Sequence, residues 1–239
     1  MDTVKMGSIY VGFGPMEIGH PYIDSFLIGS TAPGKAIVWN KVGDRLIAAE
    51  PVVTDVSWPE IDETGFISGR PVCIDGRFFI CRSLKLGAIR DGENEWKEVL
   101  EESGNDSDET WNWSKGYFWG QETSELYPDE KVLCGFNLST YWGAANPHRF
   151  KGIGFRPVLE EILNGVLVSD ALLGKDVALF GPNGQVSGRL EELTEYDMTL
   201  KADSFDEKLV QYNSWTTLRD GYITADRQAV TCAQVILKH

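Results

Sequence analysis

Apolar positions along this chain recur mainly at strand spacing and only locally at helical spacing. In residues 1 to about 65, the runs SIYVGFG (8–14), KAIVWNKV (35–42) and EPVVTDVSW (50–58) are β-branched or aromatic and strand-length. Gly, Pro and Asn/Asp breakers bound them, which predicts an irregular β-rich region. GRPVCIDGRFFICRSL (69–84) then reads as two strands about Asp75-Gly76, a dipeptide suited to a two-residue hairpin turn. The period changes in NEWKEVLEE (94–102), where Trp96, Val99 and Leu100 stand at i, i+3 and i+4. That spacing predicts a helix, with Asn94 or Asp91 available as its cap. VLEEILNGVLVSDALL (158–173) also looks helical. After it come short strand-like runs: KDVALFG, VSGRLEEL, YDMTLKAD, YITADR and AVTCAQVIL, with Asn183-Gly184 as a further hairpin turn. The pattern divides the chain into a β-rich N-terminal region (1–65), a mixed segment (66–163), and a helix followed by a small, strongly bent antiparallel barrel (164–239). The fold class this predicts is α+β.

Composition narrows the function classes. The 239 residues are 42% hydrophobic, enough for real cores, and carry a formal charge of −14. An acidic balance of that size opposes tracking a phosphate backbone, so nucleic acid is not an expected partner. No apolar run reaches membrane-spanning length and MDTVKMGSIY lacks a signal-peptide pattern, so the expectation is a cytoplasmic or virion-associated protein without membrane insertion. Cys73, Cys81, Cys134 and Cys232 show no CxxC spacing and read as reduced structural thiols.

Candidate chemistry is thin. GFGPMEIG (12–19) has glycines but is followed by no helix, and Pro15 interrupts it, which speaks against a phosphate loop. The acidic run EESGNDSDE (101–109) reads as a solvated loop rather than a calcium site. His20, His148 and His239 are too dispersed for a metal triad, and there is no GxSxG. No cofactor, metal or catalytic residue is therefore assigned, and the chain is read as a non-enzyme.

The middle segment carries the most specific pattern. FFICRSL, NEWKEVL, WNWSKGYFWGQE, GFNLSTYWGAANPHRF and GIGFRPVLE occur in that order between 72 and 161. Together they resemble C-type lectin-like proteins of the formylglycine-generating-enzyme subtype, in particular the variable proteins of diversity-generating retroelements in bacteria and their phages. The resemblance implies that FFICRSL and GIGFRPVLE pair as neighbouring strands. It also implies that Arg156 is a buried structural residue held by a carboxylate or carbonyls, and that Trp111, Trp113 and Trp119 serve the frame. Oxidase chemistry is not implied, because Cys134 stands alone and Gly120 occupies a place where relatives often carry cysteine. The stretch 135–151 would lie on the exposed face, with Asn137, Ser139, Tyr141, Trp142, Asn146, His148 and Arg149 as ligand-contacting residues. Trp142 is the most suited of these to close packing. Aromatic anchors beside short polar groups are what recognition surfaces favour. The run DVALFGPNGQVSGRLEELTEYDMTL with AVTCAQVIL resembles the Sm-like small barrel. Thr194 in place of the usual aspartate and the excess of acids mean that the barrel is carried over and RNA binding is not. The reading is a ligand- or receptor-binding display protein of phage or mobile-element type, with a protein or carbohydrate as ligand. The alternative is a virion-type assembly protein whose domains contact further copies of the chain.

Overall fold

A computed structural model describes residues 2–12, 14–182, 184–202 and 214–236. The expected turn at Asn183-Gly184 therefore falls partly outside the described residues, as does His239. The chain divides into two compact units, one of residues 1–68, 74–76 and 81–161, the other of 69–73, 77–80 and 162–239. The strands Arg70–Ile74 and Arg77–Ser83 have residues in both.

The α+β expectation is corrected to a β-rich fold. Among the described residues the α-helices are short: Trp58–Glu63, Glu95–Ser103 and Asp108–Trp111, of 6, 9 and 4 residues. Local chemistry limits each of them. Ser57 and Glu60 form a capping box on the first, which ends at Thr64. Asn94 caps the second by accepting from the Lys97 N–H at 3.0 Å, and Gly104, in the left-handed region at φ 60°, stops it after nine residues. The helix expected over 158–173 is absent. Val158 and Leu159 are both buried in the strand Pro157–Glu161, Asn164 takes φ 59°, and only Asp170–Leu172 turns, as a 3-10 helix. Two apolar neighbours buried on opposite faces of a strand mimic a helical stripe in sequence, which is the source of that error.

In the first unit the strand Thr3–Met6 pairs with Ile37–Val42, which pairs with Arg45–Ala48, which pairs with Pro157–Glu161, all antiparallel. Arg77–Ser83 and Arg70–Ile74 follow in the sheet order. FFICRSL and GFRPVLE are thus adjacent strands. They run in opposite senses, because the Arg82 side chain meets Glu160 while the Phe78 carbonyl accepts from the Ile162 N–H at 2.8 Å. The predicted turn is present, with Asp75 at φ 51° and Gly76 at φ 81°, the pair of positive φ values that a two-residue hairpin requires. A second sheet of this unit runs Trp142–Ala145, Lys131–Gly135, Tyr117–Thr123, Ile153–Gly154. Its core includes Leu84, Leu86, Trp96, Val99, Trp111, Phe118 and Val132.

Among the described residues the second unit holds a seven-stranded antiparallel sheet, where five strands were expected. Its longest strand, Gly184–Leu193, breaks register between Leu190 and Glu192. Gly188 lets it approach Lys201 closely, since a Cβ there would stand 2.6 Å from the Lys201 carbonyl oxygen. Leu179, Leu190, Met198, Leu200, Trp215 and Ile223 fill one core, and Phe78, Ile162, Ala178, Phe180 and Cys232 a smaller one.

Candidate functional site

The segment singled out by its irregular aromatic and polar composition is a hairpin followed by a loop. Lys131–Gly135 and Trp142–Ala145 pair antiparallel, with Cys134 opposite Trp142, so residues 136–141 form the connection. The Gly135 N–H donates to the Tyr141 carbonyl at 3.3 Å and closes it. Two consecutive residues take left-handed backbone, Gly135 at φ 98° and Phe136 at φ 62°. Phe136 pays for that conformation without glycine's freedom, and its N–H is held by the Trp113 carbonyl at 2.8 Å.

This turn projects a compact aromatic group. The Phe136 ring lies 5.1 Å from that of Tyr117 and the Tyr141 ring 5.5 Å from it, both tilted. Asn137 Nδ2 donates to the Tyr117 hydroxyl at 2.9 Å. Phe136 is 49% exposed and Leu138 is 61% exposed, large values for side chains of their size and apolarity. Partial burial and then the neighbouring Tyr141 push the Tyr117 phenol above its ordinary value. Its hydroxyl therefore stays a neutral donor and acceptor.

The expected site residues sort into two places. Asn137 and Tyr141 join the aromatic group, Asn137 exposed and Tyr141 half-buried. Trp142 is half-buried on the strand, not in an unpaired loop, and its Nε1–H donates to the Leu86 and Gly87 carbonyls at 3.1 and 3.2 Å. Ser139 is corrected from a surface contact to a buried residue, because its carbonyl is drawn inward by the Trp96 Nε1–H at 2.6 Å. Asn146, His148 and Arg149 come after the strand. Asn146 Oδ1 accepts from the His148 N–H at 3.2 Å in a local turn. Arg149 pairs with Glu60 and lies 4.7 Å over the Tyr22 ring, so part of its charge is already engaged. Hydrogen bonds from Arg149 and Ser57 outweigh the burial that would raise Glu60, and its carboxyl sits below the usual value.

Of the frame residues, Trp111 and Trp119 are fully buried, and Trp113 is half-buried with Nε1–H on the Asp106 carbonyl at 3.0 Å. Arg156 is fully buried: Nη1 donates to the Ala48 and Ala49 carbonyls, both at 3.2 Å, and the guanidinium lies 4.9 Å from the Trp96 ring and 4.7 Å from that of Phe118. Burial pulls its pKa down to about 9 against the distant attraction of Glu50 and Asp108. The carbonyl half of the expectation for Arg156 describes these contacts, and no carboxylate touches it among the described residues.

Sequence reasoning missed Tyr117, Phe136 and Leu138 as surface groups. The strand Tyr117–Thr123 carried no usable signal, because Phe118 and Trp119 stand on its opposite faces and are both fully buried, while half-buried Tyr117 shares its face with Trp119. Among the described residues no three His, Cys, Asp or Glu side chains group as metal ligands would, and no helix is long and apolar enough to cross a membrane. No family model, curated protein or solved structure matches the chain.

Proposed function

We propose that this chain is a non-catalytic binding protein that presents the 136–141 hairpin to a protein or carbohydrate ligand. One observation carries the reading: a polar-edged aromatic group, Tyr117, Phe136 and Tyr141 with Asn137, stands at the surface on a turn held by interior hydrogen bonds. Aromatic side chains bring large contact area at small entropy cost, and a connection fixed beforehand lowers the ordering cost of binding. The motif resemblance to retroelement variable proteins points the same way. For Cys134, burial pushes the thiol up to about 12, so little nucleophilic thiolate exists at neutral pH. At Gly120, a Cβ would meet Leu86 at 2.8 Å, which disfavours a second cysteine there.

The test combines binding with stability. The purified protein is screened on immobilised glycans and on intact bacterial surfaces, and each hit is repeated with Phe136→Ala/Tyr141→Ala. Lost binding with a melting temperature nearly unchanged is the expected result. Trp142→Ala, which removes a half-buried ring and two hydrogen bonds, should instead cost on the order of 3 kcal/mol of stability. Unfolding of the double variant as readily as Trp142→Ala would make the hairpin core and sink the display reading.

The assembly alternative rests on a different feature of the second unit. Leu163, Val166 and Leu167 are 66%, 40% and 71% exposed within five residues of chain. Their side chains suit contact with further copies of the chain. Light scattering decides it: a defined oligomer lost in Leu163→Ser/Leu167→Ser supports assembly, and a monomer at all concentrations removes it.

A further inference from the structure

We infer that Trp96 is the positioning residue of the hairpin, a latch that reaches from the interior to hold residues 136–141 in their presenting conformation. This inference rests on the reading of that hairpin as the binding element. Trp96 lies on the Glu95–Ser103 helix and is fully buried, far along the sequence from the turn it holds. Its Nε1–H donates to the Ser139 carbonyl at 2.6 Å, the bond that turns Ser139 inward. The turn's own bonds are local and short in range: the Asn137 N–H donates to the Gly135 carbonyl at 2.9 Å and the Tyr141 N–H to the Leu138 carbonyl at 3.1 Å. Such bonds fix the shape of a turn but not its attachment. The Trp113 carbonyl anchors the turn at Phe136, and Trp96 anchors its far side.

The indole is itself held on several sides. Trp111 and Phe118 meet it edge-on at 5.1 and 5.2 Å, with interplanar angles of 82° and 76°. The Arg156 guanidinium lies 4.9 Å from its ring centroid. A cation near an aromatic face is attracted by the ring's electrons and withdraws density from it, which makes the indole N–H a stronger donor. Water is excluded from the bond, so no solvent molecule competes for the carbonyl. Arg156, the arginine of GFRPVLE, thus acts on the hairpin through Trp96 and touches none of its side chains in this chain of contacts.

Hydrogen exchange on the full-length protein tests the latch without any ligand. Trp96→Phe keeps an aromatic ring and removes the N–H. The Gly135, Phe136 and Tyr141 amides should exchange about tenfold faster, the loss expected for one ordinary hydrogen bond, while the Val132 and Trp119 amides change less than about threefold. Equal acceleration at all five, or none at the hairpin, overturns the inference. If Trp96→Phe does not fold, the wild-type protein decides. The Trp96 indole N–H should give a downfield, slowly exchanging NMR signal that moves upfield in Arg156→Met, and exchange as fast as the half-exposed Trp113 indole overturns the latch. Because neither readout involves binding, a failed latch leaves the display reading to its own test. A confirmed latch with Phe136→Ala/Tyr141→Ala binding undiminished would fail the display reading alone.

Discussion

Arg82 and Arg156 lie in the same unit, 7% and 0% exposed, and their charges are met in opposite ways. Arg82 forks onto Glu95 through Nη1 and Nη2, each at 2.7 Å, and donates from Nε to Glu160 at 3.0 Å and from Nη1 to the Ser83 carbonyl at 3.0 Å. Glu95 also accepts from the Lys85 N–H at 2.9 Å and from Arg45 at 3.3 Å. Arg156 has two carbonyls and two ring faces, and its Nε and Nη2 meet no acceptor among the described residues. Burial disfavours both cations. At Arg82 the carboxylates outweigh burial and hold the guanidinium above its ordinary value, whereas at Arg156 burial prevails. The difference teaches where stability is exposed to mutation: in the first site it lies in a network of mutually dependent charges, in the second in volume and shape.

The largest expected effect breaks the first site. Arg82→Met leaves Glu95 buried without its main partner and should lower unfolding free energy by about 3–5 kcal/mol, read from urea denaturation midpoints. Arg156→Met should change stability by less than about 1 kcal/mol, or raise it, because no carboxylate is orphaned and the replacement fills similar volume while removing a desolvated charge. An equal loss in the two variants would collapse the comparison.

Acid titration should give the smallest and most specific effect. For Glu95, burial pushes the carboxyl up, but the hydrogen bonds and charge of Arg82 push it further down, so its folded value lies below the ordinary 4.5. The stability it contributes is fully present above pH 4.5 and should fade as pH falls from there through the lower folded value. Arg82→Met should flatten that part of the wild-type pH profile. A profile unchanged by the substitution would mean that other carboxylates govern acid unfolding.

The contrast between these arginines also marks how far the sequence could be read. Arg156 was legible through the motif around it. Arg82 was not, because in RFFICRSL it reads as one polar residue on a strand, and its burial depends on Glu95, placed opposite it by a helix that begins thirteen residues later. The short-range signals were dependable: the Asp75-Gly76 turn and the Asn94 cap are each decided within four residues. The run 158–173 was misread because apolar spacing alone cannot distinguish a strand buried on both faces from a helix. At the candidate site, exposed Asn137 agrees with what the motif resemblance implies, while inward Ser139 depended on an indole some forty positions away.

The smaller core of the second unit has a consequence for how the protein is made. Phe78 belongs to a cluster with Ile162, Ala178, Phe180 and Cys232. On a ribosome Phe78 emerges about eighty residues before the first of these partners, and at ~5–20 residues per second that is a wait of several seconds to more than ten. Ile80, packed against the same cluster, waits with it. Phe78 and Ile80 are thus apolar, strand-forming and without most of their cluster over that interval, although the neighbouring strand Arg70–Ile74 has already emerged. A piece of the gene beginning at codon 162 would encode this core with Phe78 missing and its remaining partners left uncovered.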